Sequence, residues 1–254
     1  MPAAVHQKSF VLTVSESKRL IARALKRHPL VLKALNQGVV AVAKGTTNAY
    51  VYEEFAEEAI HKPHYCTGVT KPAFGAEWAE TKAELPDLVL RQGDRLSGVS
   101  AVQIVSEMGP DDVFIKGANA VNYERRQAGI LIGHPTGGTI GAVIGTLVSR
   151  RVTLLIPVGL EKNIPGDLHE IYRNMARVGR NGSGPMLWPI SGEIFTEIEA
   201  VQLISGAQVG LIGAGGIAGA EGSVRISVWG APDQVDRAEG AITDVQGEPP
   251  FITP

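Results

Sequence analysis

The chain has 254 residues, 44% of them hydrophobic and 30 of them glycine, which indicates a well-filled core and excludes an intrinsically disordered protein. The formal net charge of −2 gives no long-range attraction for nucleic acid or for an anionic membrane, so we expect neither partner. The one cysteine, Cys66, excludes an intrachain disulfide and a cysteine-based metal cluster and is typical of a reducing compartment. Residues 1–6 do not begin a signal peptide, and no apolar run is long and uninterrupted enough to span a membrane. We therefore expect a cytoplasmic protein with no metal or cofactor.

Helical and strand-like apolar patterns alternate along the first two thirds of the chain. A period of 3.6 residues predicts amphipathic helices, and short β-branched runs predict buried strands. This alternation favours a parallel sheet that is covered on both faces. The predicted elements are helices 15–26 and 30–36, strand 39–43, helix 49–60, an irregular segment 61–84 near the ligand, strand 87–90, helix 97–108, strands 113–115 and 130–132, helix 140–147, and strand 152–158.

The pattern changes after residue 165. Its elements are helix 168–177, strand 186–190, helix 197–204, strands 209–212 and 224–229, and helix 232–244. A β-α-β-β-α run of this size favours a small ferredoxin-like unit. We therefore predict an α/β fold in which residues 1–184 form a Rossmann-like three-layer core with a parallel sheet. Residues 185–254 are expected to form a ferredoxin-like α+β satellite at the C-terminus.

Two glycine-bearing loops each connect a strand-like run to a helix-like run. A helix that begins directly after such a loop presents free N–H groups and hydroxyls, which is the local chemistry of an anion site. The alternative is that the threonine hydroxyls only cap the first turn of each helix. The residues that we expect to bind a phosphate or carboxylate are Gly45, Thr46, Thr47 and Asn48 in the first loop, Thr136, Gly137, Gly138 and Thr139 in the second, and Lys162 after strand 152–158.

Three further side chains are expected at the reacting end of the ligand, with catalytic roles. Lys116 follows strand 113–115, at the sheet edge where such folds bind ligands, and would supply a counter-charge to the anion. A Schiff-base lysine is another chemistry open to it, although the sequence does not show a lowered pKa. Asn119 would hydrogen-bond a hydroxyl or amide, and His134 would act as a donor or acid. We expect Gly45, Lys116 and His134 to meet in one pocket, because parallel strands end at one edge of a sheet.

A glycine-rich run over residues 209–220 is similar to a dinucleotide-binding fingerprint. That fingerprint must open a long helix, whereas here the next strand-like run begins at residue 224. We interpret the run as a hairpin connection. A nicotinamide-dependent oxidoreductase is the less favoured alternative that it leaves open.

Three motifs together resemble, in order and spacing, a superfamily core. Residues 45–47 are similar to a G-T-G-S-T-like phosphate cradle, residues 116–122 to a strand end of the form D-G-A-D-E-V-D, and residues 133–141 to a glycine-rich turn. The superfamily contains ribose-5-phosphate isomerase, glucosamine-6-phosphate isomerase, DeoR sensor domains and CoA-transferases. The resemblance covers residues 39–162 and implies a phosphosugar-like ligand.

The acidic positions of that superfamily pattern hold other residues in this chain. Lys116, Asn119 and Ala120 occupy the positions of its two aspartates and its glutamate. Aldose–ketose isomerisation needs a carboxylate that moves a proton between adjacent carbons. We therefore expect no ribose-5-phosphate isomerase activity. An enzyme of phosphosugar or CoA-transferase type and a non-catalytic sensing module like a DeoR effector domain both remain open, and a homo-oligomer is expected.

Overall fold

A computed structural model describes residues 5–68, 70–71 and 84–251 of the protein. Within these residues the strands are β1 His6–Leu12, β2 Val39–Val42, β3 Leu88–Arg91, β4 Asp94–Arg95, β5 Val113–Ile115, β6 Ala120–Asn122, β7 Gln127–Ile132, β8 Thr153–Pro157, β9 Met186–Ile190, β10 Glu193–Phe195, β11 Gln208–Ala214 and β12 Val224–Gly230. The α-helices are α1 Val14–Leu25, α2 Pro29–Gln37, α3 Thr46–Ala56, α4 Ala101–Ile104, α5 Gly138–Ser149, α6 Leu168–Val178, α7 Glu197–Ser205 and α8 Pro232–Thr243, with short 3-10 turns at Lys62–Tyr65, Leu160–Lys162 and Gly179–Asn181.

A six-stranded sheet in the order β10-β8-β5-β2-β3-β4 is the centre of the molecule. Its strands β10, β8, β5 and β2 run parallel, and β3 and β4 are antiparallel to their neighbours. Both faces are buried: Val40 and Val42 of β2 belong to one apolar cluster, and Val39 and Ala41 belong to another. The prediction of an α/β fold with parallel strands is confirmed.

Two buried polar side chains fix the position of β2, from which the first glycine loop leaves the sheet. The carboxylate of Asp112, just before β5, accepts hydrogen bonds from Val39 N and Gly109 N, each at 2.6 Å. At the other end of the strand, the Tyr65 hydroxyl donates to Val42 O at 2.5 Å and accepts from Leu88 N at 3.1 Å. These bonds satisfy backbone groups that the sheet would otherwise bury without partners.

Strand β7 does not join the parallel sheet, so the expectation for residues 130–132 was wrong. It pairs antiparallel with β6 and with β9 in a separate three-stranded sheet. The reason is the four-residue connection between β6 and β7, in which Arg126 adopts a left-handed conformation (φ 52°). Such a short turn joins antiparallel strands, whereas a parallel pair needs a long crossover.

The third sheet has the order β1-β12-β11 and is antiparallel throughout. The ferredoxin-like satellite at residues 185–254 is not confirmed, because β9 pairs with β7 and β10 with β8. Strand β1, which the sequence did not indicate, supplies the missing edge from the other end of the chain. Helices α7 and α8 contact each other, and α7 also contacts α1.

Two helices differ from their predicted bounds for local reasons. Instead of residues 97–108, helix α4 covers only Ala101–Ile104, because Ser100 and Gln103 form a capping box that begins it late. Helix α3 begins at Thr46 rather than residue 49 and ends at Ala56, where Glu57 takes a left-handed conformation (φ 53°). Most of the irregular segment 61–84 lies outside the described residues. Every helix in the described ranges is too short or too polar to cross a membrane.

Candidate functional site

A cavity of about 430 Å³ opens at the carboxyl ends of β2, β5 and β8, where parallel sheets commonly bind ligands. Strand β7 and the loop after it form the facing wall. The lining residues are Lys44, Gly45, Thr46, Thr47, Thr67, Gly68, Lys116, Gly117, Ala118, Asn119, Ile130, Leu131, Ile132, Gly133, His134, Gly137, Gly138, Thr139, Ile140 and Lys162.

The N-terminus of α3 forms one side of this cavity. Gly45 leaves β2 in an extended conformation, and its N–H donates to Tyr65 O at 3.0 Å. Among the described residues no side chain caps the helix, and its first internal bond runs from Ala49 N to Gly45 O at 2.9 Å. The N–H groups of residues 46–48 therefore have no acceptor within the helix and are directed towards its N-terminal end.

Thr47 and Asn48 are both buried but serve different purposes. Thr47 lines the cavity, and its Oγ1 has no hydrogen-bond partner among the described residues. Asn48 does not line the cavity, and its Nδ2 donates to Ala43 O at 2.6 Å and to Ile115 O at 3.2 Å. The side-chain amide thus links the ends of β2 and β5, so that only the backbone N–H of Asn48 is left for the predicted anion loop.

The N-terminus of α5 also lines the cavity. Gly137 and Gly138 both adopt left-handed conformations, with φ of 85° and 59°, and no side chain in the described part of the chain caps the helix. His134 Nδ1 lies 2.9 Å from Thr136 Oγ1, and both residues are exposed. His134 lines the mouth of the cavity, whereas Thr136 is not part of its lining.

Three lysines give the cavity its charge. Lys116 Nζ donates to Lys44 O at 3.5 Å, and Lys162 Nζ donates to Ala118 O at 3.0 Å. Burial and the nearby ammonium of Lys162 lower the pKa of Lys116 to about 8. None of the described lining residues is an aspartate or glutamate. A bound anion would relieve the repulsion between the ammonium groups of Lys116 and Lys162.

Asn119 has a structural bond that the sequence did not suggest. Its Oδ1 accepts from Leu131 N at 3.0 Å, and its own N–H donates to Gly129 O at 2.8 Å. The residue therefore fixes the start of β6 against β7 while it lines the cavity.

Gly45, Lys116 and His134 all line the same cavity, although they are distant in sequence. The physical reason differs for His134. Gly45 and Lys116 follow parallel strands of the central sheet, but His134 follows β7, which belongs to the separate antiparallel sheet. Packing of that sheet over the central one, rather than a shared sheet edge, brings the histidine to the site.

A buried charged cluster lies next to the cavity, and two of its members, Lys18 and Glu197, were missed by sequence reasoning. Both carboxylate oxygens of Glu161 are buried without a hydrogen-bond partner in the described part of the chain. Leu160 N donates to Glu197 Oε2 at 2.9 Å, and burial together with the Glu161 carboxylate raises the pKa of Glu197 to about 7. Lys18 is 6% exposed. Its pKa is lowered to about 8, mainly by burial and secondly by repulsion from the ammonium of Lys162. Such residues resemble solvated surface charges in a sequence, so only the packing reveals them.

Cys66 lies near these lysines but does not supply a nucleophile. Burial raises the pKa of the thiol to about 12, so the thiolate is scarce at neutral pH. Its Sγ lies 3.5 Å from Lys62 O.

The glycine-rich run forms the connection between β11 and β12, which pair antiparallel. No helix opens after Gly215, which has a left-handed conformation (φ 87°) in the turn after β11. The interpretation as a hairpin connection is confirmed. The strand–turn–helix context that a dinucleotide fingerprint requires is therefore lacking in these residues.

Comparison of the chain with protein-family models, with curated proteins and with solved structures found no match.

Proposed function

We propose that the protein binds a small phosphorylated or carboxylated metabolite, of sugar-phosphate type, in the cavity at the carboxyl edge of the parallel strands. One observation carries this proposal: two helix N-termini without side-chain caps and three lysines line one cavity, whose described lining contains no carboxylate. Helix N-termini favour anions through free N–H groups and through the helix dipole.

The ligand is oriented in this proposal by its anionic group. The N–H groups at the start of α3, with Thr46 and Thr47, hold the phosphate or carboxylate, and Lys162 supplies a counter-charge. Gly138 and Thr139 contact the same group from the start of α5. Each hydrogen bond to a charged group contributes about 1.5–3 kcal/mol, so a few of them suffice for micromolar affinity. The remainder of the ligand faces Lys116, Asn119 and His134.

The resemblance to the phosphosugar isomerase, DeoR-sensor and CoA-transferase superfamily belongs to the same proposal. It is supported by the phosphate-cradle-like loop at the end of β2, whereas Lys116 at the end of β5 departs from the superfamily pattern, which has an aspartate there. A Rossmann-like three-layer core with a smaller α+β unit is the corresponding description of the fold. A sensing module is the alternative function, and the lack of carboxylates in the described cavity lining favours it over isomerisation.

The experiment is a thermal-shift and calorimetry panel of matched compounds. Glycerol 3-phosphate is compared with glycerol, and lactate with 1,2-propanediol, so that each pair differs in its anionic group. At a concentration 100 times Kd, a ligand stabilises the folded state by about 2.7 kcal/mol. For a chain of this length that corresponds to a rise in Tm of roughly 5 to 10 °C. Neutral compounds should give no shift.

Variants assign the binding to the cavity. Thr46→Ala and Lys162→Met should each weaken binding of the anionic compound by about tenfold or more. Lys33→Met is the control, because Lys33 is paired with Asp111 at 2.7 Å on the surface. No shift with any phosphate or carboxylate, or equal affinity in all three variants, would contradict the proposal. Turnover of a bound compound would distinguish an enzyme from a sensing module.

A further inference from the structure

We propose that Lys116 is a nucleophile that condenses with the carbonyl carbon of a phosphorylated or carboxylated aldehyde or ketone. This inference rests on the proposed function, since the anionic group must hold the carbonyl beside the amine. It adds a substrate class and a covalent step to that proposal.

The position of Lys116 is the first support. The residue directly follows β5, which lies between β2 and β8 in the middle of the central sheet, and it lines the cavity. Its Nζ has one hydrogen bond in the described part of the chain, at 3.5 Å to the carbonyl oxygen of Lys44. A bond of that length is weak, and within the described residues no carboxylate forms an ion pair with the ammonium; Asp87 and Cys66 act on it only through a weaker Coulombic effect that raises its pKa. The amine therefore remains available to a ligand.

The surroundings of Lys116 are the second support. Lys162 is held in place by its bond to Ala118 O at 3.0 Å, so a fixed positive charge stays near the Lys116 amine. Desolvation and a neighbouring cation are the two conditions that activate lysine as a nucleophile. At a pKa of about 8, roughly a quarter of Lys116 is neutral at pH 7.5, compared with about one in a thousand for an ordinary lysine.

Other candidate nucleophiles in the described residues fit less well. The pKa of Lys18 is also lowered to about 8, but Lys18 does not line the cavity, and its ammonium lies 5.7 Å from the ring centroid of Phe251. Cys66 also lies outside the lining, and its thiol is protonated at neutral pH. Lys116 alone among these three combines access to the cavity with a lowered pKa.

The chemistry balances without an external oxidant or reductant. The neutral amine of Lys116 adds to the carbonyl carbon, forming a C–N bond, while the carbonyl oxygen takes up a proton. Loss of that oxygen as water, with the second amine proton, leaves an imine, and protonation of the imine nitrogen gives an iminium ion. The iminium withdraws electrons from the adjacent carbon, which is an activation that does not require a carboxylate in the cavity.

Borohydride trapping tests the covalent step, because hydride transfer to the iminium carbon leaves a stable secondary amine. Dihydroxyacetone phosphate is the carbonyl probe and glycerol 3-phosphate its matched control without a carbonyl. Pyruvate and lactate form the corresponding carboxylate pair. We expect one adduct per chain with a carbonyl probe, located at Lys116 by peptide mass spectrometry, and none with either control compound. Excess glycerol 3-phosphate should suppress the adduct by competition.

Variants and pH give readouts that general lysine modification would not give. Lys116→Met and Lys116→Arg should both lose the adduct, and their unfolding curves show whether they remain folded. Lys33→Met should keep it. At low probe concentration, where the rate reports the ligand-free protein, the wild-type trapping rate should rise with pH to a plateau, with its midpoint at about 8. In Lys162→Met, measured in the same way, the midpoint should move to higher pH, because the like charge is removed.

The outcomes separate this inference from the proposed function. If glycerol 3-phosphate and dihydroxyacetone phosphate bind but no adduct forms, the assignment of Lys116 as a nucleophile is wrong and the proposed binding function stands. An adduct that persists in folded Lys116→Arg, or that spreads equally over surface lysines, also overturns it. If no member of either pair binds, the proposed function fails and the inference fails with it.

Discussion

The substitution Gly141→Ala should damage the anion site through the backbone of the loop that precedes α5. A Cβ at residue 141 would lie 2.5 Å from Thr136 O, whereas ordinary contact begins at 3.4 Å. The loop carbonyl must therefore retreat by about 0.9 Å, and the helix N-terminus that lines the cavity shifts with it. Gly145→Ala is the matched control, because a Cβ at that exposed position of the same helix meets nothing within 4 Å.

The two variants should differ in both affinity and stability. Loss of one well-placed donor to a charged group costs about 1.5–3 kcal/mol, so Gly141→Ala should raise Kd for a phosphate ligand about 10- to 150-fold. In Gly141→Ala, overpacking costs about 1–3 kcal/mol, which exceeds the stabilisation that alanine gives a helix relative to glycine. The free energy of unfolding of this variant should therefore fall. Gly145→Ala should keep the wild-type Kd and gain about 1 kcal/mol, a rise in Tm of roughly 2–4 °C.

Calorimetry with glycerol 3-phosphate and urea unfolding without ligand measure these two effects separately. A wild-type Kd in folded Gly141→Ala would contradict this prediction, because the α5 N-terminus would then contribute no donor. Equal loss of affinity in Gly145→Ala and Gly141→Ala would contradict it too, since helix composition rather than loop position would be responsible.

Three further predictions concern buried polar groups. Thr47→Val removes a buried hydroxyl that has no partner in the described ranges, so the free energy of unfolding of the ligand-free protein in urea should rise by about 1 kcal/mol. The affinity for glycerol 3-phosphate should fall, and an unchanged affinity would show that the hydroxyl has no binding role. Glu197 has its pKa raised to about 7, so the folded state binds its proton more tightly than the unfolded state and loses stability as pH rises from about 4.5 to 7. Glu197→Gln should remove this pH-dependent fall in the free energy of unfolding, which amounts to at most about 3 kcal/mol. Parallel curves of stability against pH for the wild type and the variant between pH 5 and 8 would contradict the prediction. Asp112→Ala removes two hydrogen bonds to buried backbone N–H groups and should lower the free energy of unfolding by about 3–5 kcal/mol, and Asp112→Asn should lie between this variant and the wild type. A loss below about 1 kcal/mol in urea unfolding would show that these bonds contribute little to stability.

The parts of the fold that follow from local pattern could be predicted from the sequence. Strands β5 and β9 have the predicted bounds, because short β-branched or apolar runs are strong local signals. Strand β1 was missed, since its first four residues are polar and it gains its structure only from pairing with β12 at the far end of the chain. The direction of β7 was missed as well, because periodicity identifies a strand but not its partner.

Part of the candidate site could be predicted from the sequence and part could not. Gly45 and Lys116 could be placed at one edge of the sheet, because both follow parallel strands. The burial of Lys18, Glu161 and Glu197 could not be predicted, because the burial of a charged side chain is decided by tertiary packing. Asn48 was assigned to the anion loop from its position, whereas its side chain turns inward to link two strand ends.

The pairing of the first strand with the last has a consequence for synthesis of the chain on the ribosome. Leu12 faces Val224 and His6 faces Gly230, so β1 has no partner until more than 200 further residues have been made. At about 5–20 residues per second, the nascent strand waits for roughly 10 to 40 seconds with its edge unprotected. Its exposed positions include His6, Gln7 and Ser9, and polar side chains of this kind discourage association with other nascent chains. Strand β1 can therefore pair with β12 only when synthesis of the chain is almost complete, and its polar positions lower the risk of association in the meantime.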